Sequence, residues 1–213
     1  MKQLNHVFRY MPLFIVYSAL AYGQAAAIAS PIQWSGNGHW YETVVTYHPD
    51  SPPSDSPSWG EARAAAEDMN HMGLPGRLAT IESAEEDAFI LSSGLLDTGV
   101  GGELWLGGWQ NPASPDYAEP DGGWEWVYLP SEPEYPYQPL AYTNWDEIQP
   151  DDHLGQEDHL TIQTWDGQWN DLYEFWGADD TPAGYIVEYV PEPAALSLLA
   201  LGGFAVLRRR HAA

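Results

Sequence analysis

Residues 149–158 read QPDDHLGQED, placing Asp151, Asp152, Glu157 and Asp158 within eight positions. Asp146 and Glu147 stand just before them, and Asn170 and Asp171 follow within the run QWNDL. Between Arg77 and Arg208 there is no lysine or arginine, so no basic side chain from this half can neutralise these acids. Two readings are open. A hard cation takes six to eight oxygens from carboxylates, amide carbonyls and backbone carbonyls, and would supply the missing charge. Alternatively, the acids form a solvated loop that holds no ion. Paired carboxylates can also serve glycoside hydrolysis, but these stand at metal-ligand spacing. The seven histidines form no H-E-x-x-H pattern and no G-x-S-x-G elbow occurs, so no enzyme is expected.

The ends of the chain read as processing signals. Lys2 and Arg9 precede an apolar run over residues 11–21, and Ala27-Ile28-Ala29 offers a small-residue cleavage site. Residues 1–29 are therefore expected to be a secretory signal peptide, with a retained anchor as the alternative. Residues 190–213 carry Pro191-Glu192-Pro193, a short apolar run over 194–207 and then Arg208 to Arg210. That run is shorter than the ~20 residues of a spanning helix, and the arginines should stay cytoplasmic. The segment resembles the bacterial PEP-CTERM sorting signal. The resemblance implies a protein exported to the Gram-negative cell envelope, anchored transiently in the membrane and processed by an exosortase. A weak C-terminal membrane anchor is the simpler alternative.

Residues 30–189 are long enough for one domain. Without the two ends, 30 acids face only Arg63 and Arg77, a formal charge of −28. Such a body excludes nucleic acid and anionic membranes as partners. With 11 Trp and 13 Tyr it is too aromatic for a disordered acidic tail. The absence of cysteine means that an exported fold must hold without disulfides.

The elements that must position the acids are short. GHWYETVVT reads as a strand. Ser58 and Glu61 form a capping box ahead of ARAAAEDMNHM, with Gly73 placed to stop that helix. Ser83 and Glu86 form a second box, opening a helix through about Leu91. ELWLGGW, GWEWVYL, DHLTIQTW, QWNDL and GYIVEYV then read as strands. Helices followed by strands predict an α+β domain. Residues 129–149 are proline-rich and lack periodicity, which predicts a long functional loop.

In this order the pieces resemble the C-type lectin-like domain, over about residues 38–189. WGEARAAAEDM and GRLATIESAEEDAFI are similar to that family's two helices, and LWLGG stands where its W-I-G-L strand does. YTNWDEIQPDD is similar to the end of its long loop, and Trp169-Asn170-Asp171 is its W-N-D motif. The resemblance implies an α+β C-type lectin-like fold with two helices, small antiparallel sheets and a long calcium-binding loop, here without disulfides. It implies a calcium ion on Gln149, Asp151, Glu157, Asn170 and Asp171, with the bond before Pro150 in the cis form.

In sugar-binding members two hydroxyls complete the calcium shell. Here Asp151 and Glu157 would accept from them, and Gln149 and Asn170 would donate. The order amide-Pro-acid resembles the galactose-type motif, although His153-Leu154-Gly155 replace the Trp and glycine-rich loop usual there. A second calcium is implied at Asp121, Asp152, Glu157 and Asp158, with Asp116 and Glu119 as looser candidates. The usual disulfide positions hold Ala66 with Val187 and His159 with Glu174. The first pair is expected to pack helix against terminal strand. The second should be either a bonded pair or two exposed side chains. Trp105, Trp109, Trp124, Trp126 and Trp169 are expected in the core rather than on sugar. The function implied is an exported, calcium-dependent, carbohydrate-binding protein of the cell surface or extracellular matrix. The alternative is an adhesive surface protein in which calcium only shapes the loop for an extracellular protein partner.

Overall fold

The computed structural model describes residues 30–46, 56–132, 134–174 and 182–191. Residues 1–29, expected to be a signal peptide, and the tail beyond Pro191 lie outside them. Among the described residues, no helix is long and apolar enough to cross a membrane.

Strand β1 (Ile32–Gln33) pairs with β2 (Trp40–Val45), and β2 pairs with the last strand, β10 (Gly184–Tyr189). β4 (Leu74–Leu78), reached through the short β3 (Asn70–His71), also pairs antiparallel with β10. β5 (Glu103–Gln110) runs parallel to β10 and carries the second half of the domain. It pairs antiparallel with β6 (Trp124–Val127) and with β8 (His159–Gln163). β6 pairs with β7 (Tyr137–Pro139), and β8 with β9 (Trp169–Leu172). The sheet is thus mixed rather than purely antiparallel. β5 and β10 are remote in the chain, so no hairpin sets their relative direction.

Leu104 and Leu106 belong to one core cluster, while Trp105, between them, belongs to another with Trp59, Ala62, Ala66 and Val187. β5 is therefore covered on both faces, as alternating side chains require. The glycine pair within it is a consequence of close packing. A Cβ on Gly107 would lie 2.9 Å from the Leu78 carbonyl oxygen, and one on Gly108 2.7 Å from Leu160 Cδ2.

α1 (Trp59–Asp68) opens on a complete capping box: Glu61 N–H donates to Ser58 Oγ, and Ser58 N–H to the Glu61 carboxylate. Trp59, Ala62 and Ala66 form its buried face at helical spacing. The helix ends earlier than expected. Gly73 does not stop it but lies with Met72 in the two-residue turn between β3 and β4, both at positive φ, the conformation tight hairpins favour. α2 (Ala84–Ser92) has only half of its box. Ser83 Oγ accepts from Glu86 N–H, but the Glu86 carboxylate turns inward instead. The proline-rich segment also differs from expectation, since its residues 137–139 pair with β6 as β7.

That inward turn feeds a buried polar network. Glu188 on β10, 1% exposed, accepts from Arg77 Nε (3.1 Å), Thr80 N–H (3.1 Å), Thr80 Oγ1 (3.0 Å) and Tyr41 Oη (3.0 Å). His39 Nδ1 lies 2.5 Å from Glu188 Oε1, the oxygen that Tyr41 also contacts. Burial alone would raise the Glu188 pKa, but Arg77, His39 and the Thr80 amide hold it down at about 2. Glu86 shares the single Tyr41 hydroxyl proton with Glu188, at 2.5 Å, and accepts from Asn37 (3.2 Å) and Glu82 N–H (2.8 Å). Burial, and then the charge of Glu188, push its carboxyl up to about 7.

The sign of the Glu86 contribution follows by linkage. Its folded pKa lies above the unfolded value of about 4.3, so its contribution is complete below that value and falls as pH rises through about 7. The stability of the wild type relative to Glu86→Gln should therefore decline between pH 4.5 and 8, by about 1–3 kcal/mol. Urea unfolding across that range measures this, and a constant difference would refute it.

Candidate functional site

β8 and β9 bring the two acidic stretches together. Their register sets Leu160 opposite Asp171 and Thr161 opposite Asn170. Asp171 is fully buried, and its carboxylate accepts the backbone N–H of Asp151 (3.1 Å) and of Asp152 (2.8 Å). These two bonds fold residues 149–152 onto the end of β9, behind a Gln149–Pro150 bond that is cis. Glu157 closes the loop: its carboxylate accepts His153 N–H (2.9 Å), and its own N–H donates to Asp152 Oδ1 (3.2 Å). Carboxylate oxygens of Asp151, Glu157 and Asp171 consequently lie within 4.8 Å of one another.

Three acids at that distance oppose their own ionisation. Burial, then the charges of Asp171 and Asp151, push the Glu157 carboxyl up to about 8. Asp171 is also raised, chiefly by burial and despite the two N–H bonds. Two amide oxygens belong to residues that flank these acids in the chain. Gln149 Oε1 and Asn170 Oδ1 are both buried without a hydrogen-bond partner, a condition that costs about 1–3 kcal/mol each. Neither arginine of the domain serves this site. Arg63 pairs with Glu67 at 2.8 Å, and Arg77 with Glu132 at 2.6 Å and Glu188 at 3.0 Å. Carboxylate and amide oxygens with no local base are the donor set that suits calcium. Gln149, Asp151, Glu157, Asn170 and Asp171 are the residues that would hold it.

The second set of acids is looser. Asp158 is raised by burial and then by the charges of Glu119 and Asp152, which places Glu119 in this group. Asp121 and Asp116 are exposed. Asp116 accepts from Ser114 Oγ at 2.6 Å.

Glu103, at the start of β5, escaped the sequence reading. Asn170 Nδ2 donates to its two carboxylate oxygens at 3.2 and 3.3 Å, and Thr161 Oγ1 donates to one of them at 2.5 Å. Glu103 therefore fixes the Asn170 amide from behind. The only sequence signal was an acid leading into an apolar strand, which elsewhere would be a solvated end.

No family model matches the chain. A relative, Halomucin of Haloquadratum walsbyi (strain DSM 16790 / HBSQ001), is 32% identical over 158 residues, covering 72% of this chain. The alignment takes in only 1% of Halomucin, so the chain spans a small fraction of that protein's length. Among solved structures, the C-type lectin CEL-I from Cucumaria echinata is similar, with 21% identity and a TM-score of 0.49 over 75% of this chain and 96% of CEL-I. Human lithostathine superimposes with a TM-score of 0.50 at 15% identity, over 76% of this chain and 88% of its own. The fold is C-type lectin-like.

Within this C-type lectin-like fold, Ala66 and Val187 are fully buried in one core cluster, as expected of helix packed on terminal strand. His159 meets neither expectation for its pair. It is partly buried against Trp59, ring centroids 4.7 Å apart, and against Trp105 at 6.4 Å, with no hydrogen bond at Nδ1. Burial depresses its pKa to about 4, and a ring kept neutral packs among tryptophans at little cost. Trp105, Trp124, Trp126 and Trp169 are buried in the C-type lectin-like core, while Trp109 is only partly covered.

Proposed function

We propose that this domain is a calcium-dependent carbohydrate-binding module, exported and displayed at the cell surface or in the extracellular matrix. The observation that carries this reading is the pair of orphaned amide oxygens, Gln149 Oε1 and Asn170 Oδ1, supplied by the residues that accompany the three clustered carboxylates. A calcium ion there would satisfy both oxygens and balance Asp151, Glu157 and Asp171. A sugar diol would then meet acceptors on Asp151 and Glu157 and donors on Gln149 and Asn170. The order Gln149-Pro150-Asp151 supports a galactose-type preference. The acids Glu119, Asp152 and Asp158 support a second, auxiliary ion. The residues of the tail support processing by an exosortase at a Gram-negative envelope, with the C-terminal segment as a transient anchor.

One observation favours the rival reading, in which calcium shapes the loop for a protein partner. The Asn170 amide, a donor that the diol would need, already donates to Glu103. A glycan array run with calcium and again with chelator separates the two. Calcium-dependent retention on galactose-like glycans is expected. Exchanging the pair by Gln149→Glu with Asp151→Asn should move retention toward mannose-like diols, because donor and acceptor trade places. A domain that binds calcium yet leaves a broad array blank belongs to the rival reading.

A further inference from the structure

The last leg of the long loop is fastened before it reaches the acids. The Asn144 carbonyl accepts Trp169 N–H (2.8 Å), and Asp146 N–H donates to the Trp169 carbonyl (3.0 Å), forming an isolated parallel bridge between Trp145 and Trp169. Two backbone bonds outside a longer ladder make a weak junction, since even a two-stranded hairpin is marginal alone. Tyr142 and Trp145 pack edge-on against the buried Trp169, with ring centroids 5.7 and 5.9 Å away. Such contacts give adhesion but not register.

The Asn144 side chain supplies the further constraint. Its Nδ2 donates to Asp87 Oδ2 on α2 (3.1 Å) and to the Gly167 carbonyl in the β8–β9 turn (3.1 Å), so both amide protons are used. Asp87 is 9% exposed. Burial raises the pKa of its carboxyl, and the Trp169 and Tyr142 side chains, which face it, oppose the rise. Two residues further on, Asp146 Oδ2 accepts Gln163 Nε2 (3.1 Å), and the Asp146 carbonyl accepts Gln149 N–H (3.0 Å). A short path of hydrogen bonds and peptide links thus joins helix α2 to Gln149.

We infer that Asp87, acting through Asn144, is a positioning residue for the acidic loop: it clasps residues 142–146 onto β9 and so sets where Gln149 and Asp151 stand before any ion arrives. A bond to an ionised acceptor is roughly twice as strong as a neutral one, which suits a single side chain to this task. A segment ordered beforehand loses less entropy on binding. The effect on calcium affinity rests on the calcium reading above, whereas the effect on order precedes the ion.

The test uses the full domain and two readouts. In chelator, amide exchange at Asp146 and Gln149 should quicken about tenfold or more in Asp87→Ala, the range for a hydrogen bond to a charged group. Exchange at Leu160 and Ile162, fully buried in β8, should change no more than the stability measured by urea. Asn144→Ala cuts the same bond from the loop side and leaves α2 intact, so it should act alike. The double variant should be no worse than either single one, because both remove one interaction. By calorimetry, calcium affinity should fall about tenfold in each variant, as for residues that orient metal ligands. Unchanged exchange at Asp146 and Gln149 in either single variant overturns the inference, whether or not calcium binds. So do additive effects in the double variant, or calcium affinity equal to that of the wild type. A wild type that binds no calcium sinks the calcium reading instead, and the exchange comparison then decides the clasp alone.

Discussion

Replacing Arg77 with methionine should cost the domain about 3–5 kcal/mol, the usual penalty for breaking a buried ion pair from one side. Arg77 is 4% exposed and is the buried cation between Glu188 and Glu132. It also donates to Thr80 Oγ1 at 3.0 Å. Removing it strands the Glu188 carboxylate at 1% exposure and frees Glu132, whose carboxylate accepts Leu129 N–H at 2.6 Å where the long loop begins. Urea unfolding should show the loss, and hydrogen exchange should quicken at the start of that loop. The further change Glu188→Gln should recover part of the stability by removing the stranded charge. If the methionine variant lies within 1 kcal/mol of wild type, the network is not holding the fold.

That network shows where reading the sequence succeeds and where it fails. The strand GYIVEYV was recognisable by its residues, but alternation assigns Glu188 to an outer face. β10 has β-strand neighbours on both edges and is buried throughout, so neither face is outer. A sequence shows the period of a strand but not its place in the sheet. The end of α1 was misjudged for a related reason. Residues 69–72 suit a helix locally, yet Asn70 and His71 gain strand partners at Pro75 and Leu74, and tertiary pairing outweighs propensity. The acidic site was more legible. Asp151, Glu157 and Asp171 are close in the fold because β8 and β9 form a tight antiparallel pair, and the separation of the motifs along the chain encodes that pairing. Glu103 was hidden because it arrives from β5, a strand whose alignment with β8 is non-local.

Calcium should raise the melting temperature by about 5–10 °C relative to chelator. A ligand at a hundredfold excess over its Kd adds about 2.7 kcal/mol, and a domain of this length gains about 2–4 °C per kcal/mol. The effect is expected because the folded protein without the ion bears several unfavourable terms at once. Three carboxylates lie within 4.8 Å of one another, two amide oxygens lack partners, and neither arginine stands near enough to help. Asp171→Asn should abolish the calcium response while its own baseline also falls. The fully buried Asp171 carboxylate orders the Asp151 and Asp152 amides, and an amide side chain can accept only one of those bonds well. Glu157→Gln should lose the calcium response but keep most of the baseline, because its bond to His153 N–H survives through the remaining oxygen. Residues 129–149 should exchange their amides more slowly once calcium is added, since relief of the repulsion at 151–158 steadies the loop that leads into it. Identical melts in calcium and chelator, with no heat of binding, would show that the cluster lives without an ion. The orphaned oxygens would then be met by water alone.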